Sequence, residues 1–237
     1  TLIMKHIENR PILITGIHRS GTTWVSRILS YENKLATVNE LFNMAPKNKK
    51  YYIFNIPLQY WNQYIDNHNS YRFDKGINNL LNYNIDYLNA FKETSSPKDF
   101  LKIFYYTYKF KKFKIQDRKL VLKDPHGIFS SKYLSNQFNF KVIVLLRNPF
   151  AFAASIVKQG WFFDFSNILC QNKLVEHYFP KLKTELNNQI QHEEDIIGSA
   201  ILQWKLIYKY LKDVHNTYQD CLLLKHESLS TEPIKYF

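Results

Sequence analysis

The sequence predicts an α/β fold, with a central, mainly parallel sheet of about five strands flanked by helices. Three observations predict it. Five short apolar runs (Ile12 to Ile14, Leu35 to Val38, Lys119 to Lys123, Val142 to Leu146 and Cys221 to Leu224) are too short for buried helices and have the branched, apolar character of strands covered on both faces. Helical patterns separate the runs, as parallel neighbours joined by crossovers require. The first run leads straight into a glycine-bounded polar loop that opens a helix, and α/β sheets place functional groups at that carboxyl edge.

That first unit is Pro11 to Leu29, PILITGIHRSGTTWVSRIL. Gly16 closes the run, and Ile17, His18, Arg19, Ser20, Gly21, Thr22 and Thr23 form the loop. Trp24, Val25, Ile28 and Leu29 then recur with helical spacing. A helix N-terminus exposes unpaired N–H groups and a partial positive charge, and glycine lets the backbone close on an anion, so the unit reads as a phosphate cradle. Ser20, Thr22 and Thr23 add hydroxyls. Gly16 and Gly21 have the spacing of the nucleotide-hydrolase loop, but Thr22 stands where its lysine would be. The nearby cations are Arg19, inside the loop, and Arg27 on the helix. A magnesium triphosphate loses its main anchor here, whereas a phosphate carrying a small transferable group facing Arg19 fits.

Lys141 to Val157, KVIVLLRNPFAFAASIV, repeats the logic. A buried strand ends at Arg147, Asn148 is placed to cap the next helix, Pro149 suits its first position, and Ser155 follows two turns along. Arg147 can grip a phosphate bidentately at a helix end. A metal-dependent hydrolase would want an aspartate at such a strand end, so no metal site is expected.

With both motifs in place, the chain resembles the sulfotransferases that use 3′-phosphoadenosine-5′-phosphosulfate, closest in motif to their carbohydrate, tyrosylprotein and bacterial branches. In that family a loop like HRSGTTW binds the 5′-phosphosulfate end, with a basic residue at the position of Arg19. An arginine at a later strand end, with a serine eight residues on, binds the 3′-phosphate. The resemblance implies a P-loop-like nucleotide-binding fold and transfer of a sulfuryl group to an acceptor hydroxyl, a sugar or protein hydroxyl before a small phenol. It assigns the 5′-phosphate to Ser20, Gly21, Thr22 and Thr23, and the 3′-phosphate to Arg147 and Ser155.

The catalytic candidates follow the remaining strands. Asn39, Glu40 and Leu41 close the second run, and several branches of the family place their general base at the position of Glu40; the alternative reading is a carboxylate capping the next helix. Lys123, Asp124, Pro125 and His126 follow the third run. By resemblance Lys123 points at the sulfuryl group and acts with Arg19. His126 is the second candidate for the base, with a plain loop histidine as the alternative, as for His18.

Residues 45–118 read as a helical insertion over the sheet which, by resemblance, shapes the acceptor pocket. Ser96, Pro97 and Asp99 start a helix there, whose Phe100, Ile103, Phe104 and Tyr108 are expected to face the core. The first helix is expected to stop near Asn33. Gln159 to Glu193 has little clear periodicity, and its Trp161, Phe162, Phe163 and Phe165 suggest a flap or loop near the cofactor. Glu193 to Asp213 reads as a helix with Ile196, Ile197, Ala200, Ile201, Trp204, Ile207, Tyr208 and Leu211 on one buried face. Lys225 to Leu229 resembles the family's closing strand and acidic turn.

The 237 residues suit one sulfotransferase domain, 1–237. Family members commonly continue further, so the resemblance leaves open a chain shortened at either end, and a removed leader or anchor stays open. No run of eighteen apolar residues suggests a membrane span. Cys170 and Cys221 have no metal spacing and fit a reducing compartment, with cytoplasm as the default. The +12 charge would attract polyanions, but the lysines are spread among many Asn, Ile, Tyr and Phe, so nucleic acid is not an expected partner. The run Lys47 to Lys50 reads as a solvated loop. The rival readings are a magnesium-dependent kinase or hydrolase, and a binding module without chemistry.

Overall fold

A computed structural model of the chain describes residues 10–31, 35–45, 50–218 and 220–236. Each of the five apolar runs forms a strand: β1 (Ile12–Gly16), β2 (Leu35–Asn39), β3 (Lys119–Lys123), β4 (Lys141–Leu146) and β5 (Cys221–Lys225). They pair in the order β2-β3-β1-β4-β5, and every pair is parallel. The sheet is thus parallel throughout. Alternate residues feed two cores: Ile12, Ile14, Val121, Ile143 and Leu145 pack on one face, and Leu13, Leu120, Leu122, Val142 and Val144 on the other. A parallel sheet needs this double cover, because its strands are apolar on both sides.

The chain leaves β1 towards β2 and leaves β4 towards β5, so adjacent strands send their connections in opposite directions. That switch point opens a crevice between the carboxyl ends of β1 and β4. Helix α1 (Thr22–Leu29) follows β1 directly. Gly16 has φ 134°, and a Cβ there would lie 2.3 Å from the Leu145 carbonyl oxygen, so the loop can leave β1 against β4 only through glycine.

The insertion between β2 and β3 carries α2 (Lys50–Ile53), α3 (Asp74–Leu81), α4 (Tyr87–Lys92) and α5 (Pro97–Ile115). Ser96 caps α5 as expected, accepting the Asp99 N–H, with Pro97 in the first turn. The expected core stripe is corrected. Ile103 is buried, but Phe100, Phe104 and Tyr108 face solvent, and α5 packs through Ile103, Phe110 and Phe113. Phe110 meets the rings of Phe54 and Tyr83, so the aromatic partners supplied by the rest of the insertion set which face turns inward.

After β3 come a short turn over Pro125–Ser130 and α6 (Ser131–Phe138); after β4 comes α7 (Pro149–Gln159), whose Asn148 cap accepts the Phe150 N–H at 2.9 Å. The stretch read as a flap folds into α8 (Ser166–Leu169), α9 (Asn172–Tyr178) and α10 (Lys183–Gln191), with Phe165 buried in the core. Helix α11 (Ile196–Val214) starts three residues later than the predicted Glu193, and Ile197 and Ile201 are exposed, while Ser199, Gln203, Leu206 and Tyr210 are buried. Its buried line is turned because α7 is its main neighbour. After β5 come α12 (His226–Thr231) and α13 (Pro233–Tyr236). The expected stop of the first helix at Asn33 and most of the run Lys47 to Lys50 lie outside the described residues; Lys50 opens α2.

Candidate active site

The loop after β1 forms a cradle from local rules. Arg19 (φ 63°) and Gly21 (φ 94°) adopt left-handed backbone, and Gly21 starts α1 with no side chain capping the helix. With no capping side chain at Gly21, the Thr22 and Thr23 N–H groups can take an external acceptor. The Ser20 hydroxyl turns inward and donates to the Ile17 carbonyl at 2.6 Å, bracing the loop, and His226 Nδ1 lies 3.0 Å from the Ser20 carbonyl. Thr22 is buried and Thr23 exposed.

Two basic residues converge beside this cradle. Arg19 Nε donates to Ser155 Oγ at 3.2 Å, across from the loop to α7, and Arg147 Nη1 donates to the Arg19 carbonyl. The Arg147 backbone is fixed from α11: its N–H donates to the Tyr208 hydroxyl at 2.7 Å, and its carbonyl accepts from Trp204 Nε1 at 3.0 Å. Arg147 Nε is buried and has no partner among the described residues. Glu227, just past β5, accepts the Asn148 N–H at 2.9 Å. Burial works to raise the Glu227 carboxyl, but this N–H and the nearby His226 and Arg147 hold it below its usual value.

The second cluster gathers at the ends of β2 and β3. Glu40 (φ 54°) continues the ladder, its N–H donating to the Lys123 carbonyl at 2.7 Å, while Lys123 Nζ lies 2.6 Å from Glu40 Oε1. Asn43 Nδ2 donates to Glu40 Oε2 at 2.9 Å. The carboxylate is engaged by these side chains, and the next described helix, α2, begins at Lys50. Burial pushes Glu40 up, but the Lys123 hydrogen bond and charge, with Asn43 and Lys50, outweigh it and hold the carboxyl below its usual value. Lys50 stands close enough that Glu40 and Asp124 oppose the burial that lowers its ammonium.

Asp124 is fully buried behind this pair. Its Oδ2 accepts the Phe42 N–H at 2.6 Å and its Oδ1 accepts the His126 N–H at 3.0 Å, so it holds the turns after β2 and β3 together. Burial pushes its carboxyl up to about 7 despite both bonds. His126 Nε2 lies 3.3 Å from His18 Nε2, and Trp61 packs edge-on against the His126 ring. Burial lowers the His18 imidazole to about 4 and His126 well below its usual value, so the pair is neutral near pH 7.

Glu40 borders two cavities. One, of about 430 Å³, is lined by His18, His126, Trp61, Trp161, Phe162 and Phe163. The other, of about 500 Å³, lies between α1 and β2 and is lined by Thr23, Ser26, Arg27, Ser30, Thr37 and Lys123.

A sequence model of the sulfotransferase family matches residues 11–202, from the start of β1 into α11. The chain belongs to the sulfotransferase family. No curated protein matches it. In this sulfotransferase the predicted site residues fall into two groups, with Arg19, Ser20, Gly21, Thr22, Thr23, Arg147 and Ser155 around the cradle and Glu40, Lys123 and His126 beside the aromatic cavity. Arg19, expected to act with Lys123 on the sulfuryl group, donates to Ser155 on the Arg147 side. Sequence reasoning passed over Asn43, Lys50, Trp61, Asp124 and His226. Asp124 and His226 do follow strand ends, which was the available signal; Lys50 and Trp61 come from the insertion, where nothing local marks them.

Proposed function

We propose that the chain moves a sulfuryl group from 3′-phosphoadenosine-5′-phosphosulfate to a hydroxyl of a sugar or protein acceptor. The observation carrying this reading is the Glu40 carboxylate, gripped by Lys123 and Asn43 at the rim of an aromatic cavity and sharing a second cavity with Thr23 of α1. The residues fit the donor on three counts: the left-handed Gly21, the start of α1 at Thr22 and Thr23 with no capping side chain, and the buried Arg147 Nε with no partner among the described residues. When bound, the donor supplies a sulfuryl group on a phosphate leaving group.

The Thr22 and Thr23 N–H groups at the start of α1 would hold the 5′-phosphate, with the hydroxyls of the same two residues contributing. Arg147 and Ser155 hold the 3′-phosphate, and Arg19, poised between them, swings towards whichever anion arrives. Glu40 accepts the acceptor's hydroxyl proton as the new O–S bond forms and the S–O bond to the phosphate breaks. Lys123 stabilises negative charge on the departing oxygen. Lys123 also sets the timing: while it is bound to Glu40 it keeps the carboxylate a weak base, and moving to the leaving oxygen releases that restraint. His126 and His18, both neutral, line the acceptor side as hydrogen-bonding groups.

Calorimetric titration with adenosine 3′,5′-bisphosphate tests the donor class, with magnesium ATP as the comparison. Magnesium-independent binding of the bisphosphate supports the reading; preference for magnesium ATP sinks it. The base is tested by Glu40→Gln and His126→Ala under the same titration followed by transfer assays. Glu40→Gln should bind the bisphosphate and lose turnover by about 10²–10⁴-fold; loss in His126→Ala alone would move the base to the histidine.

A further inference from the structure

The outward side of α4 and α5 carries a run of exposed apolar side chains. Ring centroids step along it from Tyr87 to Phe91 at 6.3 Å, to Phe100 at 5.6 Å and to Phe104 at 5.0 Å. Leu88, Leu101, Tyr108 and Ile115 extend it, with exposures of 88%, 67%, 71% and 74%. Single exposed apolar residues are ordinary, but a continuous band on two adjacent helices marks an interaction surface.

Its charge says which surface. Helix α5 carries six lysines and a single acid, Asp99, which is taken up by Ser96 and Lys102. At 100° per residue, Lys111 and Lys112 point with Phe104, Tyr108 and Ile115, opposite the buried line of Ile103, Phe110 and Phe113. Of the other acids nearby, Asp86 is paired with Lys75 and caps α4, and Glu93 closes the same helix. A second copy of the chain would bring these lysines against their own kind, which is unfavourable. Protein interfaces are also depleted in lysine at their centres. Phe and Leu bodies with Tyr hydroxyls and Lys ammonium groups at their tips instead suit the boundary between headgroups and acyl chains. No helix among the described residues is long and apolar enough to cross a membrane.

We propose that the outward face of α4 and α5 rests on an anionic lipid surface, lying in its headgroup layer. The band supplies apolar burial, and the lysines supply attraction to acidic headgroups, each contributing roughly fivefold in affinity. This holds whatever the acceptor of the transfer reaction is, since the band shares no residue with the site.

Co-sedimentation of the full chain tests it, using vesicles of phosphatidylcholine alone and of phosphatidylcholine with phosphatidylserine in equal parts. The chain should pellet with the mixed vesicles, weakly or not at all with the neutral ones, and less as salt rises. Leu101→Ser with Phe104→Ser should abolish the binding, and Lys111→Glu with Lys112→Glu should weaken it at least tenfold. Because all four side chains are exposed, both variants should keep the wild-type unfolding temperature, which separates lost docking from lost folding. Equal pelleting with both vesicles, or wild-type binding by both variants, overturns the proposal. So does concentration-dependent dimerisation abolished by Leu101→Ser with Phe104→Ser, which would give the face to a second copy.

Discussion

Lys123 and Glu40 are joined twice, once through the backbone, where the Glu40 N–H donates to the Lys123 carbonyl at 2.7 Å, and once through the side chains at 2.6 Å. Parallel pairing of β2 with β3 sets Asn39 opposite Lys123, so the next residue, Glu40, extends the same ladder. The ammonium is thereby a built-in regulator of the carboxylate. Lys123→Met should raise the Glu40 pKa, because the largest opposition to burial is lost. Carbon-detected NMR titration of the Glu40 carboxyl checks this without any acceptor; an unmoved titration would mean that Asn43 and Lys50 suffice.

Arg147 is positioned by Tyr208 and Trp204 on its backbone, which leaves its guanidinium for the cradle. Arg147→Ala should cut the affinity for adenosine 3′,5′-bisphosphate by about ten- to a hundredfold, the range for hydrogen bonds to a charged group of roughly 1.5–3 kcal/mol. The same titration on Tyr208→Phe, which removes one support of that backbone, should give a smaller loss. An unchanged affinity in Arg147→Ala would remove the residue from the 3′-phosphate site.

Gly16→Ala should destabilise the fold by about 2 kcal/mol or more, because the added carbon meets the Leu145 carbonyl oxygen at 2.3 Å and the residue sits at φ 134°. For a domain of this size that corresponds to a fall of roughly 4–8 °C in unfolding temperature. Gly160→Ala, whose added carbon meets nothing within 4 Å, carries only the backbone strain of φ 63° and should cost less.

The neutral imidazole pair gives the fold an acid sensitivity. His18 titrates at about 4 when folded and near 6.5 when unfolded, so its contribution to stability is present above 6.5 and is lost as pH falls towards 4. Asp124, pushed up to about 7, has the opposite sign, contributing at low pH and losing that contribution as pH rises through 7. Comparing wild type with His18→Asn by urea unfolding cancels Asp124, which both proteins keep. The stability gap between them should narrow as the pH is lowered from 7 to 4; a gap that stays constant would mean that His18 is not held neutral by the fold.

The strands, the loop and the caps were legible in the sequence because each obeys a local rule. A short branched run bounded by polar residues, a glycine where φ is positive, and a Ser or Asn ahead of a proline act over a few residues. Five strands and the caps at Ser96 and Asn148 accordingly lie where the pattern put them. Of the candidate site, the residue types and strand ends were legible, since parallel sheets gather function at one edge.

Tertiary structure alone decided which partners meet and which helix faces turn inward. Arg19 reaches Ser155 across 136 positions, Asp124 holds Phe42 across 82, and Lys123 holds Glu40 across 83. No pattern within a segment encodes those pairings. In α5, Phe100 and Phe110 are equally apolar, and the rings of Phe54 and Tyr83 decide that Phe110 is buried and Phe100 faces outward. Hydrophobicity specifies that a side chain prefers to leave water, but only the neighbours brought by the rest of the chain determine whether there is a place for it to go.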